Sequence, residues 1–470
     1  MRRDRPRAAS AEWISPWRSG QYCATSESRR RGRRQFVKVP VDGFGEGSTP
    51  GGAGPLAKSD ASFVTSPTST IIASVTDVND RLTARIQDAV DRAELVDITQ
   101  RLVQVDSTNP PGREHNAAMI LEGIAQEAGL RVELVTVAEG RSNVTICLPG
   151  DGSDPRKLLY CGHLDTVVIG DSSWDHPPFG AAVVEGEIWG RGSVDMKGGI
   201  AAMLGALATL NRMGIRRPGD IVLATVVGEE VDCIGSRHLL ATGGMADVAW
   251  LVVGEPTDLE LVTAHKGCLR LRVTACGVAA HASQPELGRN AVLAMTRLLP
   301  LLARVDVGGP RHELLSPATS APTVISGGSA INIVPDRCWV DFDIRTVPGQ
   351  MDDDLVERFT TAIRHFNDAE PDIDVHIDVS CERSAVQTPP EAPLVDAFRN
   401  VMASVSGRMC SPRGVSFFTD ASILQPPTAV PTVLFGPGDT ALMHRTNERV
   451  RIDDLVLAAR VLALAPLALW

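Results

Sequence analysis

Apolar residues recur at spacings of three and four through DVNDRLTARIQDAVDRAELVDITQRLVQV, which begins at Asp77, and this period predicts helix. Ser107-Thr108-Asn109-Pro110-Pro111-Gly112 breaks it. A second helix is expected over 115–128, then strands over 131–137, 143–148 and 158–161. An Ala-, Leu- and Met-rich helix over 197–213 stops at Gly214. Strands over 220–227 and 249–253 run into Gly228-Glu229-Glu230 and Gly254-Glu255-Pro256-Thr257. Short apolar strands alternating with helices predict an α/β fold with a doubly wound, mostly parallel sheet. Ligands of such sheets bind beyond the carboxyl ends of the strands.

Between about Lys266 and Ser380 the pattern changes. Leu269, Leu271, Val273 and Ala275 alternate with Arg270, Arg272, Thr274 and Cys276, the signature of a strand with one wet face. A helix over 290–305, a strand over 323–326, a strand alternating at Val340, Phe342 and Ile344, a helix over 352–366 and a strand alternating at Ile373, Val375, Ile377 and Val379 complete β-α-β-β-α-β. That order is ferredoxin-like. After Glu382 the α/β texture returns. The expected domains are therefore a basic, disordered extension over 1–80, a catalytic domain over 81–265 and 383–470, and an inserted α+β domain over 266–382.

Composition bounds the function. With 43% hydrophobic and 22% charged residues the chain is globular, and a net charge of −11 argues against nucleic acid as a partner. The charge is uneven: residues 1–38 hold eleven Lys and Arg against three acids, so the remainder is more acidic still. Gly32-Arg33-Arg34-Gln35-Phe36-Val37-Lys38 resembles a twin-arginine export signal, but VPVDGFGEGSTPGG follows where an apolar segment is needed. A solvated basic tail, or a start codon assigned too far upstream, is the better reading. Nine cysteines without a CxxC pairing suit reduced thiols and a cytoplasmic location. The closing apolar run is interrupted by Arg460 and Pro466, and reads as a core helix rather than a membrane span.

The chemistry gathers at strand ends. His163 and Asp165 follow the strand over 158–161, and Asp195 lies in Gly190-Arg191-Gly192-Ser193-Val194-Asp195-Met196-Lys197-Gly198. Glu230, Glu255 and His444 complete a di-metal constellation with His163 and Asp195. Mixed His and carboxylate donors suit Zn²⁺, two per chain, with Co²⁺ or Mn²⁺ as substitutes. Five ligands hold two metals if one carboxylate bridges, and Asp195 is the expected bridge. His163 then partners Glu255 and Glu230 partners His444, though the pairing could be exchanged. Asp165 is placed to support a ligand imidazole from behind. Glu229, next to a ligand but free itself, suits the general base of a hydrolysis.

The blocks GHLDTV, GRGSVDMKGG, GEE followed by GSR, GEPT, HKG, AAHASQPELGRNA, SAINIVPD, DIRTVPG and GPG…MHRTNE together resemble the zinc aminoacyl hydrolases. That family includes acetylornithine deacetylase, succinyl-diaminopimelate desuccinylase, glutamate carboxypeptidase and aminoacylase. The resemblance covers about residues 85–470, with the blocks in family order. It implies a di-zinc domain with an inserted lid that forms a homodimer, and the ligand, base and supporting roles given above. It also implies that His281 donates to the scissile carbonyl and that Asn332 and Arg345 hold a substrate carboxylate. The expected substrate is an N-acyl amino acid or small peptide, with no nucleic acid or membrane partner. A single-metal carbamoyl or ureido amidohydrolase of the same fold, or a relative without turnover, are the alternatives. The loop Gly414-Val415-Ser416-Phe417-Phe418-Thr419-Asp420 offers no decisive chemistry in sequence.

Overall fold

The computed structural model describes residues 81–470, so the basic tail and its twin-arginine-like stretch lie outside the described residues. The helical run expected to continue unbroken into Val105 is divided. Residues 81–89 are helical, and a new helix α1 (Arg92–Val103) starts after Asp91, whose carboxylate accepts from the amides of Ala93 at 2.8 Å and Glu94 at 3.3 Å. An Asp that satisfies the free amides of a first turn begins a helix, whatever the apolar period across it.

In chain order there follow α2 (Glu114–Glu127), β1 (Arg131–Ala138), β2 (Arg141–Leu148), β3 (Lys157–His163), α3 (Gly198–Arg212), β4 (Ile221–Val226), α4 (Ile234–Ala241), β5 (Val248–Val253) and β6 (Val262–His265). After the small domain come β11 (Val386–Gln387), α7 (Pro393–Ser406), β12 (Arg413–Val415), β13 (Thr432–Leu434) and α8 (Ile452–Leu469). Its own elements are β7 (Cys268–Cys276), α5 (Ala291–Leu302), β8 (Thr319–Gly327), β9 (Arg337–Arg345), α6 (Asp352–Ala369) and β10 (Asp374–Arg383).

The large mixed sheet runs β1-β2-β4-β3-β5-β13-β6-β11, with β12 beside β6. Its centre, β4-β3-β5-β13, is parallel; β1-β2, β2-β4, β13-β6 and β6-β11 are antiparallel, and β12 runs parallel to β6. Alternate residues of β3 serve opposite cores. Leu158 and Tyr160 pack with α3 and α8, while Leu159 and Cys161 face α4 and the short helix at 421–424. The Tyr160 hydroxyl donates to the Leu462 carbonyl of α8 at 2.6 Å, which satisfies the one polar atom of that side chain in the core. From β3 the chain crosses to β4 on one side, then to β5 on the other. The strand order therefore reverses at β3, where a crevice opens.

The separate four-stranded antiparallel sheet, ordered β8-β9-β7-β10, packs α5 and α6 on one face. Leu355, Phe359, Ile363 and Phe366 form the buried stripe of α6. β8 is longer than the strand expected over 323–326 because it pairs with β9 from Thr319 to Gly327. Among the described residues no helix is long and apolar enough to cross a membrane.

Candidate metal centre

Three sheet strands and two loops deliver the polar cluster. β3 ends at His163; β4 and β5 run on to Glu229-Glu230 and Glu255. Asp195 sits in an irregular turn before α3, where α3 approaches β5 so closely that a Cβ on Gly199 would lie 1.9 Å from the Gly254 carbonyl oxygen. His444 follows β13 through a loop and adopts a φ of +61°, a strained conformation for a non-glycine residue.

Asp195 stands between the two imidazoles. Its Oδ1 is 3.1 Å from His163 Nε2, and its Oδ2 is 3.1 Å from His444 Nε2. His163 Nε2 is also 3.7 Å from Glu255 Oε1, and His444 Nε2 is 3.1 Å from Glu230 Oε2. Donor atoms of His163, Asp195 and Glu230 all fall within 4.8 Å of one another. His163, Asp195 and Glu255 are buried, whereas His444 is half exposed.

Asp165 organises the neighbourhood. Its Oδ1 accepts from the amides of Gly228 at 2.9 Å and Glu229 at 3.2 Å, and its Oδ2 from the Glu230 amide at 3.2 Å and Asn109 Nδ2 at 3.0 Å. The His163 Nδ1 partner at 3.0 Å is the Asp165 backbone carbonyl, with the carboxylate farther away at 3.6 Å.

Burial raises Glu229, Glu230 and Glu255 above the usual carboxylate range, and neighbouring carboxylates add to the rise. Burial opposes charge on His163, yet Asp165 and Asp195 hold its pKa well above normal. Hydrogen bonds to Asp195 and Glu230 lift His444 to about 10. Glu229 Oε1 and Glu230 Oε1 are buried without a hydrogen-bond partner. Crowded, buried carboxylates with free oxygens and two imidazoles fit a divalent cation of the zinc class, which supplies the charge they lack.

The lid residues stand apart. His281 is exposed and hydrogen-bonds within its own turn, Nδ1 to Ser283 Oγ at 2.8 Å. Asn332 accepts from the Ala282 amide at 3.0 Å, so the two share one short ribbon. Arg345 Nε donates to Asp343 at 2.7 Å, and its guanidinium lies 5.6 Å from the Phe418 ring centre.

Three groups were not singled out in the sequence. Asp420, in the loop read as chemically indecisive, is buried with neither carboxylate oxygen hydrogen-bonded. Burial raises it to about 6, and it lies within electrostatic reach of His163, Glu229 and Glu255. Its only signal is a lone acid after an apolar pair. Glu448 Oε1 accepts from the amides of Val194 at 2.9 Å and Asp195 at 3.0 Å, while Oε2 takes Arg191 Nη1. Lys197 is fully buried, donating to the Val105 carbonyl at 2.9 Å, and burial pushes it down to about 8.

A His/Asp/Glu cluster at the switch point of a doubly wound sheet, with a second small antiparallel domain, fits a metallohydrolase. The sequence profile of peptidase family M20/M25/M40 matches residues 159–467, and the chain belongs to that family. It is 27% identical over 380 residues to a probable succinyl-diaminopimelate desuccinylase of Staphylococcus epidermidis, covering 75% of this chain and 92% of that protein. Its fold is similar to that of the di-peptidase Dug1p of Saccharomyces cerevisiae, with a TM-score of 0.69 and 14% identity over 82% of this chain and 98% of that one. A Bacillus subtilis protein, YXEP, described as a dinuclear metal binding peptidase, gives a TM-score of 0.62 and 15% identity over 80% and 98%.

Proposed function

We propose that this enzyme is a di-zinc amidohydrolase that cleaves the amide of an N-acyl amino acid or small peptide. The observation that carries the reading is Asp195, whose two oxygens each lie beside a different imidazole, an arrangement that would let it be shared by two metals. His163 and Glu255 would hold one ion, Glu230 and His444 the other, with Co²⁺ or Mn²⁺ able to replace zinc. Bound there, the metals would polarise the scissile carbonyl and acidify water.

The chain's own groups do the rest. Glu229, with a free buried oxygen, takes the proton of the attacking water and returns it to the leaving amine. Asp165 fixes that residue through its backbone amide. The lid, taken as residues 266–382, supplies His281 to the carbonyl oxygen, and Asn332 and Arg345 to a substrate carboxylate. His281 lies on an exposed ribbon, which fits a site completed by a second copy. Val324 and Ile325 on edge strand β8, and the fully exposed Ile331, are the apolar surface for a lid-to-lid homodimer. A cytoplasmic location belongs to the same proposal, with the described cysteines unpaired in the structure.

Glu229→Gln should abolish turnover while two zinc ions per chain remain. The substrates to screen, after zinc or cobalt loading, are N-acetyl-ornithine, N-succinyl-diaminopimelate, N-acyl amino acids and dipeptides. Retained activity in the variant would remove Glu229 as the base. Sedimentation of the intact chain tests the dimer.

A further inference from the structure

The lid joins the catalytic body through two strands: β7, which opens at Cys268, and β10, which ends at Arg383. They pair antiparallel, with Cys268 opposite Arg383 and Arg270 opposite Cys381. Cys268 and Cys381 are therefore diagonal neighbours on the same face, since opposed residues and residues two apart share a side. That is the sheet face away from α5 and α6, because Leu269 and Leu271 fill the core beneath those helices. Cys268 is buried and Cys381 half-buried, and Cys268 Sγ also lies 3.8 Å from Asp343 Oδ2.

We propose that Cys268 and Cys381 form a thiol–disulfide exchange site at the lid hinge, which takes a low-molecular-weight disulfide of the glutathione class as its oxidant. Cys381, the accessible member, attacks one sulfur of that disulfide as the thiolate, forming a mixed disulfide and releasing one small thiolate. Cys268 then loses its proton and attacks the Cys381 sulfur. The second small thiolate leaves and takes up the proton. Two protein thiols are oxidised to one disulfide, and the small disulfide is reduced to two thiols. The electrostatics assign the same order of events. The Cys268 thiol lowers the pKa of Cys381, burial opposes, and Arg383 and Arg270 add to the lowering, while Cys268 itself is raised. The thiolate is the nucleophile in such exchange.

Closing this bridge moves the hinge. Diagonal neighbours stand about 7–8 Å apart at Cα, while a disulfide spans at most about 6.8 Å, so the strand ends must draw in by roughly an ångström. The end of β10 is tied to the loop that carries Glu229 and Glu230 and to helix α4 that follows it. Arg383 Nη2 donates to the Val231 carbonyl at 3.4 Å, and Arg237 Nη2 donates to the Glu382 carbonyl at 3.3 Å. Oxidation thus reaches catalysis through Arg383, a consequence that rests on the function proposed above.

The test uses the intact, zinc-loaded chain treated with oxidised glutathione, alkylated, digested and mapped by mass spectrometry. The expected result is a Cys268–Cys381 cross-linked peptide, undone by dithiothreitol. It should come with a reversible loss of turnover of about tenfold, within what ångström-scale misplacement of catalytic groups costs. Cys268→Ser and Cys381→Ser should each abolish both effects; Cys268→Ala and Cys381→Ala serve if a serine variant does not fold. Both cysteines alkylated after oxidation, or a mixed disulfide on Cys381 that goes no further, would overturn the proposal. So would an equal loss of turnover in the double variant. The peptide map needs no substrate, so failure of the exchange site and failure of the proposed hydrolase are read separately.

Discussion

Glu448 spends both carboxylate oxygens on the turn that carries Asp195, accepting two backbone amides on one and Arg191 on the other. Removing one partner of such a buried pair leaves the other charge stranded. Glu448→Ala should therefore cost about 3 kcal/mol in urea unfolding and weaken metal binding on the order of tenfold or more by titration. Stability and affinity both at wild-type values would sink this role. His265 offers a pH test. Burial pushes its imidazole down to about 4, below the roughly 6.5 expected for the unfolded chain. Between these values the unfolded chain binds the extra proton, so this contribution is complete above pH 6.5 and is lost as the pH falls toward 4. The slope reaches at most about 1.4 kcal/mol per pH unit. His265→Asn should flatten that window in unfolding curves taken across it; an unchanged slope assigns the acid sensitivity elsewhere. His163, Glu230 and Glu255 stand out in sequence because each follows an apolar strand. Glu448 does not, because its partners are backbone amides and a remote arginine that no local pattern displays, and Asp420 does not, because its burial against the cluster comes only with the fold.

Asp91 sets the boundary between two helices that an apolar period alone joins. Asp91→Ala should lower stability by about 1 kcal/mol, the usual worth of such a cap, measurable by chemical denaturation. No loss would mean that packing, not the cap, divides the helices. Strands were legible in sequence because alternation and short apolar runs report burial directly: β3, β4, β5 and β7 all lie where the pattern put them. The spread of β8 was not, since its side chains are mostly exposed and only pairing with β9 extends it. The turn at 193–197 was equally silent. Its shape is imposed by Glu448, more than two hundred residues away, and by the close approach of Gly199 to Gly254.

Among the described residues, Glu229, Glu230 and Glu255 crowd together in the interior, each raised by burial and by its neighbours' negative charge, while Asp195 beside them is held ionised by two imidazoles. Metal removal should be felt globally. Stripping with dipicolinate should lower the melting temperature, and zinc should restore it, by a free energy of about 4 kcal/mol at a thousandfold excess over Kd. A melting temperature indifferent to zinc would contradict binding at this cluster. The alternation of α/β and antiparallel texture made both sheets legible, but how the last helix closes the core was not, because helical periodicity names a face and not its partner. That helix, α8, is buried along most of its length, and its Leu462 carbonyl satisfies Tyr160 on the strand that ends in His163. The dependence has a consequence for synthesis. A nascent chain that has emerged only as far as the lid already carries four of the five proposed ligands, yet it lacks both His444 and the helix that seats β3. Hydrolysis should thus begin only once residues 444–469 have been made and packed, and a chain cut before His444 should bind metal weakly and show no turnover.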